Sequence, residues 1–265
     1  MTSYRRLEGG EVLDALNLVR EVFFAEGNLG FPRRGAQSFL EFVSENGELL
    51  TWYGAFDGTL TGVLGRTEEF HIALFFVRKE NRKQGIARHL FEMMREEARA
   101  AACARITVNA AESAVDVYEA LGFETCGETE TKDGITSVPM EYLLGRENLG
   151  RTVTVTVDRP YGSLHPHYPD TEYPCNYGYV EDVLAADGEF QDAYIIGVYE
   201  PVDSFTGVVT AIIYRRNDSE SKWVVTKTAD CDRREVIDTV GEVEQYFDTR
   251  ILWLKNAEAQ ERTQK

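Results

Sequence analysis

Positive charge is scarce in this 265-residue chain: 28 Lys and Arg stand against 45 Asp and Glu, and the net charge is −17. A uniformly acidic surface repels phosphate backbones, which argues against a general nucleic-acid role. It suits amine substrates and divalent cations. The one local basic cluster, Arg78–Arg88, is compatible with a phosphorylated ligand. Cysteine is also sparse. Cys103, Cys126, Cys175 and Cys231 are far apart, no pair has zinc-site spacing, and disulfides are not expected. Cys175, between Pro174 and Asn176, reads as a small buried hydrophobe. No stretch reaches the ~18–20 apolar residues of a membrane span. The start, Met1–Leu7, lacks the apolar centre of a signal peptide. A cytoplasmic protein without membrane partners is the expectation. Repeats and low-complexity tracts are absent from the sequence as well.

What is present is enough apolar material, 43% of residues, for two cores. At roughly 100–200 residues per domain the length points to two domains. The first half alternates helices and strands. Val12, Leu13, Leu16, Val19, Val22 and Phe23 have helical spacing over Glu11–Phe24, and Ser38–Val43 is a shorter helical stretch. Leu49–Phe56 and Leu60–Arg66 read as strands around an Asp57-Gly58 hairpin turn. Phe70–Val77 reads as a central strand and Gly85–Ala102 as an amphipathic helix. Then come a strand over Ile106–Val108, a helix over Ser113–Leu121 ended by Gly122, and a strand over Gly134–Leu144.

Gly145–Gly150 is polar, contains two glycines and has no apolar period, so the domain boundary is placed there. Beyond it Thr152–Val157 alternates threonine and valine with a period of two. Asp192–Val198, Gly207–Tyr214 and Trp223–Thr226 are further strands, and a helix is predicted from Arg234 to about Phe247. The polar end, 256–265, reads as a frayed tail.

The first chemical unit is an apolar strand, a loop with glycine and a helix. A helix start carries unpaired N–H groups and the positive end of the dipole, and so favours a phosphate. Gly85 permits close backbone approach, Ala87 is small, and Arg82, Lys83 and Arg88 can add charge-assisted bonds. The segment Arg82-Lys83-Gln84-Gly85-Ile86-Ala87 after strand Phe70–Val77 resembles the acetyl-CoA signature of the GNAT acetyltransferases, in which Gln or Arg is followed by x-x-Gly-x-Gly/Ala. A second segment, Tyr118-Glu119-Ala120-Leu121-Gly122-Phe123, resembles that family's later Tyr-x-x-x-Gly-Phe pattern. The resemblance spans about residues 3–143. It implies transfer of an acetyl group from acetyl-CoA to an amine of a small molecule or peptide. It implies further that the backbone from Gln84 through Arg88 holds the pyrophosphate. The same resemblance implies that groups near Phe75 to Val77 bind the acetyl and pantetheine portion at a splayed strand, with Tyr118 as the general acid. The base stays open among Glu26, Glu68, Glu69 and His71.

The second constellation is acidic. Asp187, Glu189 and Asp192 surround a glycine turn and could collect a hard cation such as Mg²⁺. Upstream lies Tyr173-Pro174-Cys175-Asn176-Tyr177-Gly178-Tyr179, and downstream Asn217-Asp218-Ser219-Glu220-Ser221-Lys222. Together these resemble the family I soluble inorganic pyrophosphatases over about residues 151–253. The resemblance implies Mg²⁺ held by Asp187, Glu189, Asp192, Asp218 and Glu220, a phosphoanhydride ligand bound by Tyr177 and Lys222, and metal-assisted hydrolysis. The departures are several. Thr156 stands near the family's first-strand Glu, the Lys-Tyr-Glu segment is absent, and the span is shortened to Asp158–His167. Arg250-Ile251 replaces a closing Tyr-Lys pair, and Arg159, His165 and His167 are the available substitutes for lost cations. A non-catalytic binding or oligomerisation module is therefore the competing expectation for this half, and a homo-oligomer stays open.

The expected fold class is α+β: a GNAT-type α/β domain with a central mixed sheet over 1–146, and a small OB-like β-barrel of the pyrophosphatase type over 151–255.

Overall fold

The structure is a computed structural model that describes residues 2–101, 103–165, 168–185, 187–215 and 220–254, with backbone alone for 165 and 168–171. His167, Asp218 and the 256–265 tail of the sequence reading lie outside the described residues. The chain divides into two compact units, Met1–Leu143 and Leu144–Lys265.

The first unit is a twisted mixed sheet between helices. Its strands are β1 (Ser3–Arg6), β2 (Thr51–Asp57), β3 (Thr59–Arg66), β4 (His71–Val77), β5 (Arg105–Ala111), β6 (Glu124–Thr125), β7 (Glu130–Lys132) and β8 (Ile135–Leu143). They order as β1-β2-β3-β4-β5-β8-β6, with β7 also on β8. All pairs are antiparallel except β4–β5. Alternation along β2 sends neighbouring side chains to opposite faces. Trp52 joins the core under α1 (Glu11–Ala25) and α2 (Arg33–Asn46), where its indole N–H donates to Gly47 O at 2.8 Å. Tyr53 points the other way and donates to Glu97 Oε2 at 2.6 Å on α3 (Ile86–Ala100). The α3 face buries Ile86, Leu90, Phe91, Met94 and Ala98, near one per turn. Phe91 packs on Phe123 and Tyr142, with both ring centroids 5.2 Å away.

The second helix is longer than the sequence pattern shows, because Ala36, Phe39, Leu40 and Val43 extend one apolar stripe. Strand β1 is missed by periodicity: Ser-Tyr-Arg-Arg is an exposed edge strand with no apolar face to read. The expected Ser113 helix start gives way to a 3₁₀ turn, Glu112–Ala114, before α4 (Val115–Leu121).

The second unit holds β9 (Thr152–Arg159), β10 (Leu164–His165), β11 (Tyr168–Glu172), β12 (Asn176–Leu184), β13 (Phe190–Ile195), β14 (Ser204–Arg215), β15 (Ser221–Thr226) and β16 (Thr249–Trp253). Strands β9, β12, β13, β15 and β14 close on themselves as a five-stranded barrel. Closure depends on β14, whose first half pairs with β9 on one edge and whose Val208–Tyr214 stretch pairs with β15 on the other, while β16 adds outside the ring. A two-residue period explains β9, which buries Val153 and Val155 and exposes Thr152 and Thr154. Helix α5 (Arg233–Glu244) is capped by Asp232, whose carboxylate accepts from Arg234 N–H at 2.9 Å. It seats Val236 and Val240 on the barrel wall with Ile213 and Val224. It ends earlier than the expected Phe247. Strand β12 lies where the sequence reading placed a motif, and β16 carries the Arg250-Ile251 pair.

One close approach decides the barrel's packing. A Cβ on Gly178 would sit 2.0 Å from Thr156 O, a backbone atom that cannot move without parting β12 from β9. Gly178→Ala is expected to destabilise this unit by at least about 1–3 kcal/mol, measurable by urea denaturation. Among the described residues no helix is long and apolar enough to cross a membrane.

Candidate functional site

Strands β4 and β5 part almost as soon as they meet. They pair only at His71↔Thr107 and Ile72↔Val108, after which β4 stays with β3 to Val77 and β5 stays with β8 to Ala111. Arg78 N–H donates to Thr61 O at 2.9 Å. Antiparallel alternation from that bond turns the backbone of Phe76 and Leu74 toward β3 and that of Phe75 and Val77 toward the gap. Phe75 and Val77 therefore present main-chain donors and acceptors to an open wedge.

The loop that follows supplies an anion cradle. Asn81 N–H and Arg82 N–H close a 3₁₀ turn on Arg78 O and Lys79 O. The next N–H with an acceptor among the described residues is His89, bonded to Gly85 O at 3.1 Å. From Lys83 through Arg88 the N–H groups have none, and no side chain caps α3. Lys83 at φ +60° and Gly85 at φ +82° curl this stretch into a concave run of donors at the positive end of a 15-residue helix. Gly85 holds its left-handed conformation without the strain a Cβ would bring. Lys83 and Arg88 are exposed beside the cradle, Ala87 is half-buried, Ile86 is buried under Gly62, and the Gln84 amide donates back to Glu80 O.

Across the wedge stands Tyr118 of α4. Its ring centroid lies 6.3 Å from Phe75 and 5.4 Å from Phe123. It is buried, and desolvation pushes its phenol well above the usual range, so it stays protonated.

Residues 27–144 match the family model described as "Acetyltransferase (GNAT) domain". The first unit carries a GNAT acetyltransferase domain. Among solved structures, this chain is similar to a GCN5-related N-acetyltransferase from Rhodopseudomonas palustris, at 13% identity and TM-score 0.46, covering 54% of this chain and 96% of that one. It is also similar to an acetyltransferase of the GNAT family from Staphylococcus aureus, at 14% identity and TM-score 0.44, covering 54% and 99%. A third is FeeM, an N-acyl amino acid synthase from uncultured soil microbes, at 16% identity and TM-score 0.44, covering 55% and 92%. No curated protein matches the chain.

Within the GNAT domain two parts of the sequence reading need correction. The first concerns Arg82, expected to reach a phosphate. Its Nε donates to Val77 O at 3.1 Å and its Nη2 pairs with Glu26 Oε1 at 2.6 Å, so the guanidinium is turned toward the protein. Arg78 is held the same way, by Leu60 O and by Glu21 Oε2 at 2.7 Å. The second concerns the base. His71 and the exposed Glu68 and Glu69 lie at the closed end of the wedge, and four residues at roughly 3.3 Å each put His71 about 13 Å from Phe75. His71 is half-buried, its pKa is lowered by desolvation, and its Nδ1 lies 2.8 Å from Thr107 Oγ1. Glu26 is the nearest to the loop, but its carboxylate is committed to Arg82. None of the four is a free base at Phe75. A polar cleft of about 590 Å³ lies between α2 and the Asp133 turn, lined by Arg34, Ser38 and Glu41.

In the second unit the acidic residues gather around a lysine. Lys222 Nζ lies 2.5 Å from Asp192 Oδ2 and also bonds Glu220, with its side chain only 6% exposed. Tyr177 donates to Asp192, and burial first, then that carboxylate, pushes its phenol far up. Asp187 accepts from Glu189 N–H at 3.0 Å, which, ahead of Glu220 and Lys222, holds its carboxyl below the usual range. The Mg²⁺ expectation for Asp187, Glu189, Asp192 and Glu220 therefore finds no support, and Asp218 lies outside the described residues. Among the described residues no three carboxylate, His or Cys groups converge as metal ligands, and Asp192 and Glu220 are both bonded to the Lys222 ammonium. Of the substitute cations, Arg159 pairs with its neighbour Asp158 at 3.0 Å, and the side chains of His165 and His167 lie outside the described residues.

Sequence reasoning missed one element here. Arg215 and Glu244 form a two-armed ion pair at 2.6 and 2.9 Å, with side chains 8% and 5% exposed, and Tyr194 donates to Glu244 Oε1 at 2.7 Å. Glu244 sits at the end of an amphipathic helix pattern, and nothing local marks it as buried. Cys175 is buried as expected, and desolvation raises its thiol to about 12, so it is inert.

Proposed function

We propose that the first unit is an acetyl-CoA-dependent acyltransferase that moves an acetyl group to an amine of a small molecule or peptide. One observation carries the reading: the N–H groups from Lys83 through Arg88 lack acceptors and sit at the mouth of an open strand edge that faces a protonated tyrosine. Such a cradle fits a pyrophosphate, with Lys83 and Arg88 adding charge. Phe75 offers backbone groups to an extended amide-bearing arm and to the acyl oxygen. When bound, acetyl-CoA supplies an activated thioester carbonyl and a thiolate leaving group. Tyr118 holds the proton that the departing sulfur needs. The amine nitrogen loses its proton to water, since none of Glu26, Glu68, Glu69 and His71 stands free at Phe75. The acidic surface favours an amine acceptor electrostatically. The test is thiol release from acetyl-CoA against a panel of amines, with coenzyme A binding followed by calorimetry. Release with at least one amine is expected, and absence of binding heat would reject the reading.

For the second unit, the arrangement favours a non-catalytic phosphate-binding or oligomerisation module over a Mg²⁺-dependent phosphoanhydride hydrolase. The observation is Lys222 locked between Asp192 and Glu220, where a hydrolase would need those carboxylates for metal. A melt indifferent to Mg²⁺ and no phosphate release from pyrophosphate are expected. A metal bound at 100 times its Kd would add about 2.7 kcal/mol of stability, which a melting titration detects.

A further inference from the structure

We propose that Glu26 is a positioning residue that couples the coenzyme A loop to the turn Gly27–Gly30; the inference rests on the acetyl-CoA reading above. Four successive residues after α1 are left-handed: Gly27 at φ +61°, Asn28 at +59°, Leu29 at +56° and Gly30 at +75°. Left-handed residues normally occur singly, and one with a branched side chain is strained. Such a run persists only if its surroundings hold it. On one side Leu29 and Phe31 pack against the α1–α2 core, with Phe31 6.1 Å from both Phe23 and Phe39. The turn closes on itself through Phe31 N–H, which donates to Asn28 O at 3.0 Å, and on the other side Glu26 holds it. Its carbonyl accepts from Leu29 N–H at 3.1 Å and closes the turn, while its carboxylate grips Arg82 at 2.6 Å.

Arg82 completes the link. Its Nε is bonded to Val77 O on the open edge of β4, and the next residue, Lys83, is the first of the anion cradle. A single side chain thus joins the turn, the strand edge and the cradle. The parallel pair Glu21–Arg78 braces the start of the same loop, but Glu21 lies inside α1 and takes no part in the turn. Filling the cradle with a pyrophosphate orders Arg82 and Lys83, which strengthens the Glu26 contact and steadies the turn. By linkage, a steadier turn raises affinity for the nucleotide. The turn carries Leu29 and borders the half-buried Phe31 and Phe76, so this wall is steadied once the acyl donor is in place.

Amide hydrogen exchange on the full chain, with and without coenzyme A, tests this. In the native protein coenzyme A should slow exchange at residues 83–88 by contact and at 27–31 through Glu26. In Glu26→Gln the first protection should remain and the second should vanish, with coenzyme A affinity lower by about threefold to tenfold. Glu26→Asp should restore part of both. A residue that merely braced the fold would raise exchange at 27–31 equally with and without ligand, and that result overturns the coupling. So does protection at 27–31 that survives Glu26→Gln. If Glu26→Gln fails to fold, Arg82→Lys, which keeps the charge but not the fork, should give the same loss. Binding heat with no change at 27–31 in the native protein rejects the coupling alone, whereas no binding heat rejects the donor reading and the coupling with it.

Discussion

Tyr118→Phe is expected to lower the turnover number for acetyl transfer by about 10²–10⁴-fold, the usual contribution of a positioned general acid. Coenzyme A affinity and melting temperature should stay near the native values. The substitution removes one oxygen and keeps the ring that packs 6.3 Å from Phe75 and 5.4 Å from Phe123. Tyr118 has no hydrogen-bond partner among the described residues, so no buried acceptor is orphaned by the change. A purely structural tyrosine would show the opposite pattern, with unchanged turnover. The pH dependence gives a second check. Desolvation raises the folded-state pKa of Tyr118 above the ~10 of the unfolded chain. Stability from this group is therefore full below about pH 10 and declines as pH rises above it, because only the unfolded chain ionises there. Tyr118→Phe should flatten that part of the stability curve relative to the native protein. An equal alkaline loss in both would count against the burial argument.

Glu244→Ala is expected to cost the second unit about 3–5 kcal/mol, the range for breaking a buried ion pair by removing one partner. Glu244 is the common acceptor for the Arg215 guanidinium and the Tyr194 hydroxyl, and it also fastens the end of α5 to β14. Burial opposes the charge on Arg215, yet the Glu244 carboxylate outweighs it and keeps the guanidinium firmly protonated. Phe247 covers the guanidinium at 3.7 Å, so water cannot replace the carboxylate without moving the aromatic ring. Once Glu244 is gone a full positive charge is left in a low-dielectric wall. Urea denaturation followed through Trp223 and Trp253 would measure the loss. Replacing both partners together, Arg215→Met with Glu244→Leu, should recover most of it, since the penalty is the unpaired charge and not the missing bond. If the double variant were as unstable as Glu244→Ala, packing would be the cause.

The cradle proposed for coenzyme A was legible in the chain from Gln84 to Arg88 because its chemistry is local. Strand, glycine and helix start are consecutive, and backbone N–H groups need no distant partner to become a donor array. The same holds for Val153 and Val155, whose alternation with threonines shows one buried face of β9. Strand β12 was not legible as a strand, because Asn-Tyr-Gly-Tyr lacks a β-branched run and Gly178 is there to let the Thr156 backbone approach.

Charged side chains were read least well, since spacing says where an arginine is and not which way it turns. The sequence by itself determined most helices and strands of the first unit, the glycine loop and helix start from Gln84 through Arg88 and the tyrosine that follows them, for these depend on neighbours in the chain. The tertiary structure alone decided that Arg82 serves Glu26 and Val77, that Lys222 fills the cluster offered for a metal, and that Glu244 is buried. Those outcomes turn on Coulomb attraction between groups 29 to 56 residues apart, brought together by packing that no local pattern records.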